Sequence, residues 1–405
     1  MIMDYTNKLR KNVNKNYIFY FLKTLDLTQG IWMLYLAMKG MSLVQLGLLE
    51  GVFHVTSFLM EVPTGAIADI YGRKTSRILG RFCSVISVCI LLLSNDFYLF
   101  ALSFVFTAIS FNLESGAGEA LVYDSLKEIK EEEKYMKITG RQEVFYQIAK
   151  VIAFILGGYL ATRSYKLAFV ITITIGIITI IQAFSFTEPK IGKNERVVKN
   201  PFKVIKKQVT EGINVIKNNK KVGFFIIFSE LLSTLVMTVF YYHQNFLKGH
   251  GFNEAQIGIV YAASALMTAI LASQVYKIES KIKEKGILLI VPIITVTCLW
   301  GLSFSNYQYI FFILMMGTEG IIFVAINDYI NKLIPSYNRA TILSFSSMVF
   351  SLFMVVLFPI IGKIGDIYSL DISFIFLSIV GSILVIINTF YVLKMTKKET
   401  LKHEG

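Results

Sequence analysis

The chain has 405 residues, of which 55% are hydrophobic and only 17% charged, and its mean hydropathy is +0.60. A water-soluble fold of this length needs more polar surface, so the balance excludes an ordinary soluble domain and points to lipid as the solvent. The net charge of +13 would suit nucleic acid only if the bases gathered on a soluble domain, and their distribution along the chain excludes that partner.

A helix crosses the hydrocarbon core with about 20 mainly apolar residues. In chain order the pattern predicts a cytoplasmic N-terminus over 1–16 and then spans near 17–38, 43–68, 76–94, 97–120, 143–162 and 166–186. A polar central loop follows over 187–221. Further spans come near 222–243, 254–275, 286–305, 308–330, 341–363 and 371–393, before a cytoplasmic tail over 394–405. Within the loop, Phe202, Ile205, Val209, Ile213 and Ile216 recur at helical spacing among lysines. That pattern predicts a basic amphipathic helix lying on the anionic inner leaflet. With the N-terminus inside, 33 Lys and Arg fall on the inner side against 5 outside. The positive-inside rule then expects both termini in the cytoplasm and the chain in the cell membrane. Span 1 is long, carries Asp26 and lacks a small-residue cleavage site, so it is expected to remain rather than leave as a signal peptide. Cys83, Cys89 and Cys298 lie in apolar runs with no metal-type spacing, and no disulfide framework is expected.

The two halves repeat. "KGMSLVQLG" at 39–47 leads into span 2 and "KGHGFNEAQIG" at 248–258 leads into span 8. Asp124 and Asp328 are 204 residues apart, and so are Gly158 and Gly362. The fold class expected is therefore an all-α membrane protein: twelve transmembrane helices in two parallel-repeat six-helix bundles around a central site.

An ionisable group inside a span costs roughly 2.5–3.5 kcal/mol on insertion scales and usually faces protein or water. Lys23, Asp26, Glu50, His54, Glu61, Glu114, Glu119, Glu143, Lys150, Glu230 and Glu319 fall in spans 1, 2, 4, 5, 7 and 10. Spans 3, 6, 9 and 12 carry none in their interiors, which reads as every third helix facing lipid. Glu50 and His54 share a face of span 2, and Asn112 and Glu119 share one of span 4. Lys23 and Asp26 are close enough along span 1 to pair. A water-filled cavity explains the set, with Asn112 and Glu319 among its lining. A proton-coupled carrier needs a buried carboxyl that loads and unloads; Asp26, Glu50, Glu119 and Glu230 are the candidates, Asp26 and Glu119 first for their depth. Glu50 and His54 form either a proton relay or a simple hydrogen-bonded pair. Acids outnumber bases among these residues and no arginine is included, a balance that favours a cationic or amphipathic substrate over a phosphate ester.

At 65–77, "GAIADIYGRKTSR" resembles the signature G-x-x-x-D-x-x-G-R-K of the major facilitator superfamily, carried by Gly65, Asp69, Gly72, Arg73 and Lys74. "NLESGAGEA" in span 4 is similar to the family's second motif through Gly116, Gly118 and Ala120, with Asn112 where an arginine is usual. The antiporter motif of span 5 survives as Gly157 and Gly158, with Ala153 and Phe154 in place of its Gly-Pro. The resemblance implies alternating access, with the signature residues at a cytoplasmic gate. Asp69 falls near a helix C-terminus, where a carboxylate is poorly placed for the dipole, so a basic partner or a helix N-terminus is expected beside it, and it is expected to latch the two bundles on the cytoplasmic side. The function expected is proton-coupled export of a small organic molecule by a monomer, with protons and lipid as its other partners. Proton-coupled uptake of a nutrient is the alternative, and a receptor without transport a third reading. No catalytic constellation, metal spacing or phosphate-cradling loop is present in the sequence, so neither an enzyme nor a cofactor is expected.

Overall fold

The computed structural model describes residues 2–191, 201–334 and 339–403, and is helical throughout apart from short connections. The first unit opens with α1 (Ile2–Thr24) and α2 (Trp32–Met38). It continues with α3 (Leu43–Tyr71), α4 (Arg73–Leu93), α5 (Phe97–Glu128), α6 (Tyr135–Ala161) and α7 (Tyr165–Phe184). After α8 (Pro201–Asn218) come α9 (Lys220–Gly249), α10 (Glu254–Ser273), α11 (Val275–Phe304), α12 (Gln308–Leu333), α13 (Arg339–Ile367) and α14 (Leu370–His403). Among the described residues, eleven helices are long and apolar enough to cross a membrane. The remaining crossing, expected at 17–38, is made of α1 and α2 with a break between them.

Local chemistry accounts for the break. Asp26 turns its carboxylate back on Thr28, accepting from the backbone N–H at 2.9 Å and from the hydroxyl at 2.6 Å, an Asx-type turn that competes with helix. Non-helical backbone is tolerated at membrane depth only where protein buries and satisfies it. Here Leu27 and Ile31 are buried, and the Leu27 N–H donates to the Thr172 hydroxyl of α7. Gly157 of α6 lies against the Leu27 carbonyl so closely that a Cβ would overlap it.

The chain divides into two compact units. Unit 1 comprises Met1–Met41, Leu48–Lys206 and Asn253–Ala262; unit 2 comprises Ser42–Gly47, Lys207–Phe252 and Ala263–Gly405. The start of α3 thus belongs to unit 2, and the start of α10 to unit 1. Each crossing rests on a repeat glycine. In unit 1, Gly158 of α6 meets Gly258 and the Glu254 carbonyl of α10 with no room for a Cβ. In unit 2, Gly362 of α13 meets the Leu43 carbonyl of α3, while Gly47 meets the Pro359 backbone. Asp366 caps α3 there, accepting from the N–H groups of Leu43 and Val44 at 2.8 Å each.

The packing of unit 1 centres on α4, which runs against α5 and α7, while α1 packs on α6 and α7. In unit 2, α9 packs on α12, α13 and α14, and α11 on α12 and α14. α11 breaks at Lys283 (φ 61°, ψ 174°), so the segment before it is separate from the crossing expected to begin near 286. The amphipathic segment of the central loop is helical as α8, with Ile205 buried and Ile213 exposed; the side chain of Phe202 lies outside the described residues.

Candidate functional site

Two clusters of chemistry-bearing side chains lie inside the units. The first is in unit 1, where α4 carries Arg77 and Arg81 one turn apart. Arg77 has no exposed surface and Arg81 only 9%. α4 begins at Arg73, so Arg81 sits about 12 Å along the helix axis at 1.5 Å per residue. Hydropathy alone puts both arginines on the cytoplasmic rim and makes span 3 purely apolar, and the structure corrects that expectation. The signal is present in the sequence: Arg77, Arg81, Ser84 and Ser87 recur at helical spacing and form a polar stripe along α4.

Across from that stripe stands Glu114 of α5, 2% exposed. Arg77 Nε donates to Glu114 Oε1 at 3.2 Å, and Nη2 lies 3.1 Å from the same oxygen without alignment for a hydrogen bond. Its Nη1 donates to Asn16 Oδ1 at 2.9 Å, and its planar head stacks on Phe19 at 4.0 Å and Phe186 at 4.6 Å. Lys23 Nζ reaches Glu114 Oε1 at 3.5 Å. Lys23 therefore pairs with Glu114, and the expected Lys23–Asp26 pair gives way to the Asx turn. A cavity of about 380 Å³ opens beside these groups, walled by α1, α4, α5, α7 and the break after α1. Lys23, Asp26, Arg81, Glu114 and Glu119 line it, Glu119 from an exposed position. The premise that no arginine joins the span charges fails here, although the eight acids among the span residues still outnumber the bases once Arg77 and Arg81 are added.

Asn112 does not line this cavity. It closes a pair with Ser57, accepting from the hydroxyl at 2.8 Å and donating to the carbonyl at 2.6 Å, and so fastens α5 to α3. Glu50 and His54 are both buried on α3, one turn apart, with the His54 ring edge-on to Phe53.

The second cluster is in unit 2. Glu230 of α9 accepts from the Ser346 hydroxyl of α13 at 2.5 Å. One turn on, Ser233 donates to Glu319 Oε1 of α12 at 2.6 Å, while the buried Glu319 Oε2 has no hydrogen-bond partner among the described residues. Ser233 lies one turn from Glu230 on α9, so the Ser233–Glu319 bond sets both acids along one face of that helix, and the partners seen for them are serine hydroxyls. Both acids are conspicuous in the sequence; only the fold brings them together.

The signature residues form a third group, at the α3–α4 turn of unit 1. Gly72 adopts φ 98°, in the left-handed region, and a Cβ on it would lie 2.7 Å from the Glu188 carboxyl. Glu188 accepts from the N–H groups of Arg73 and Lys74 at 2.7 Å each and so caps α4. Asp69 finds the basic partner its position required: Arg73 Nη1 at 2.6 Å, with Arg73 Nε 3.7 Å from Asp124. Gly65 lies in open surroundings, where a Cβ would meet nothing within 4 Å.

Comparison with known proteins matches this architecture. The family model described as Major Facilitator Superfamily matches residues 17–357. A Bacillus subtilis (strain 168) protein described as the uncharacterized MFS-type transporter YxaM is 25% identical over 364 residues, covering 89% of this chain and 90% of that one. Among solved structures, the nucleoside transporter NupG superposes with a TM-score of 0.75 at 14% identity, covering 97% of this chain and 99% of that chain. A bacterial homologue of the human lysosomal transporter Spinster gives a TM-score of 0.73 at 15% identity, covering 96% and 98%. At such identities the solved structures establish the fold and nothing finer. The family match over most of the chain, the helical repeat and the signature turn agree, and the chain is a multi-pass membrane transporter of the Major Facilitator Superfamily rather than an enzyme.

Proposed function

We propose that the chain is a proton-coupled secondary transporter that exports a small organic molecule across the cell membrane, working as a monomer with both termini in the cytoplasm. The observation that carries the coupling is the Glu230–Glu319 pair. Two carboxyls on one face of the α9 contact, Glu319 buried and Glu230 half-buried, each supported by a hydroxyl, repel when both are charged, and a proton on either relieves that repulsion. Their serine partners can accept from a carboxylic acid or donate to a carboxylate, so the site accommodates both protonation states. Asp26 and Glu119, the first choices from sequence, are less suited to carrying the proton, because Asp26 is engaged by Thr28 and Glu119 is exposed.

Purified protein in liposomes, with an imposed pH gradient and a pH-sensitive dye inside, tests this reading. We expect Glu230→Gln and Glu319→Gln to lower gradient-driven substrate flux at least tenfold while substrate exchange without a gradient persists. Full gradient-driven flux in both variants would reject the assignment. The matching substitutions Asp26→Asn and Glu119→Gln measure the other two carboxyls on the same scale.

A further inference from the structure

The charges around the unit 1 cavity cancel. Asp26, Glu114 and Glu119 are the acids of its lining, and Lys23 and Arg81 the bases. The third base lies behind the wall: Arg77, with no exposed surface, stands 3.1 Å from the Glu114 carboxylate. Lys23 reaches the same carboxylate at 3.5 Å. Three acids therefore meet three bases, and an ion entering the cavity would leave one charge uncompensated away from bulk water. Hydroxyls make up much of the remaining lining. Tyr20 of α1, Ser84 of α4, Thr107, Ser110 and Ser115 of α5 and Thr172 of α7 all belong to it. Along α5, Thr107, Phe111, Ser115 and Glu119 share one face and are exposed, so they form the mouth.

We propose that this cavity binds an uncharged, hydroxyl-rich solute of about monosaccharide size. A hydroxyl donates to a carboxylate or to another hydroxyl and accepts from an ammonium, so such a solute uses both signs of charge in the lining without adding one of its own. Asp26 commits Oδ1 to Thr28, and its Oδ2 has no hydrogen-bond partner among the described residues. That oxygen is the acceptor assigned to the solute. Phe111 and Ile175 give an apolar wall for its carbon skeleton. The cavity volume of about 380 Å³ is at the small end of ligand pockets, which run from about 300 to 1,000 Å³. All of the lining comes from one unit, so the site is complete there. Identifying the bound solute as the transported molecule rests on the transporter reading; its binding does not.

The test is equilibrium binding to the purified full chain, using glucose, ribose and myo-inositol as neutral probes. Glucuronate and glucosamine, which set one negative or one positive charge on the glucose ring, are the comparison. Saturable binding of at least one neutral probe is expected, with glucuronate and glucosamine each at least tenfold weaker than that probe. Asp26→Asn keeps an oxygen for Thr28 but removes an anion, so it should bring glucuronate at least threefold closer to the neutral probe. Arg81→Gln removes a cation and should do the same for glucosamine. Ser84→Leu should fill the cavity and abolish binding. Where one variant fails to fold, the other variants and the wild-type charge series decide. Tighter binding of either charged sugar, absence of binding by all three neutral probes, unchanged affinity in Ser84→Leu, or unmoved selectivity in both charge variants would overturn the proposal. Neutral-solute binding without gradient-driven flux would reject the proton-coupled reading alone; gradient-driven flux of other solutes without neutral-solute binding would reject this site alone.

Discussion

A guanidinium with no exposed surface must find its counter-charge inside the protein, and Arg77 finds it on Glu114. Desolvating two charges is expensive, and the pair persists because its remaining donors and ring faces are also engaged, by Asn16, Phe19 and Phe186. Removing one partner leaves the other buried and unpaired. We expect Glu114→Gln to destabilise unit 1 by about 3–5 kcal/mol, since Arg77 and Lys23 lose the same anion at once. Adding Arg77→Met should recover part of that loss, with Lys23 accounting for the remainder. Denaturant titration of the purified variants checks both values, and a cost below about 1 kcal/mol for the single change would mean the pair contributes little.

At the scale of elements, helix ends and crossings follow from small residues placed where larger ones cannot fit. The α3–α4 turn needs Gly72 twice: for its positive φ, and for the space that lets Glu188 reach the first N–H groups of α4. Gly72→Ala should cost about 1–2 kcal/mol from backbone conformation alone. Loss of the cap in Glu188→Ala should cost about 1 kcal/mol. Because the alanine methyl displaces the same carboxylate, the double variant should fall short of the sum of the singles by at least about 0.5 kcal/mol. Strict additivity in a double-mutant cycle would separate the cap from the glycine. The repeat glycines work by the same physics. Gly158 against Gly258, and Gly362 against the Leu43 carbonyl, each allow two backbones to approach where a Cβ would collide.

For the whole molecule, an even number of crossings puts both termini on one side of the membrane, and we propose from the distribution of the bases that this side is the cytoplasm. On the proposed orientation, a cysteine introduced at Lys39 is outside and one at Lys130 inside. With Cys83, Cys89 and Cys298 replaced by serine, a membrane-impermeant maleimide applied to intact cells should label Lys39→Cys. Lys130→Cys should react only after permeabilisation. The reverse pattern would invert the topology. The burial of Arg77 and Arg81 removes two bases from the inner rim, but the remaining excess is large enough that the expectation stands.

The sequence by itself determined the solvent, the helical class, the number of crossings and the repeat, because each depends on composition or period along one chain. It also located the signature turn and named Glu230 and Glu319, since an acid in an apolar run is conspicuous wherever it folds. Tertiary structure decided the pairings. Lys23 leaves Asp26 for Glu114 because the helix breaks between them, and a break held by Thr28 and Thr172 depends on a contact from α7 that no local pattern contains. Arg77 and Arg81 resemble rim charges in the sequence because they follow a basic turn. Their side chains face α5, and that facing placed Glu114 and Ser110 within reach. Hydropathy records how much charge a span carries; which helix lies opposite that charge is a property of packing alone.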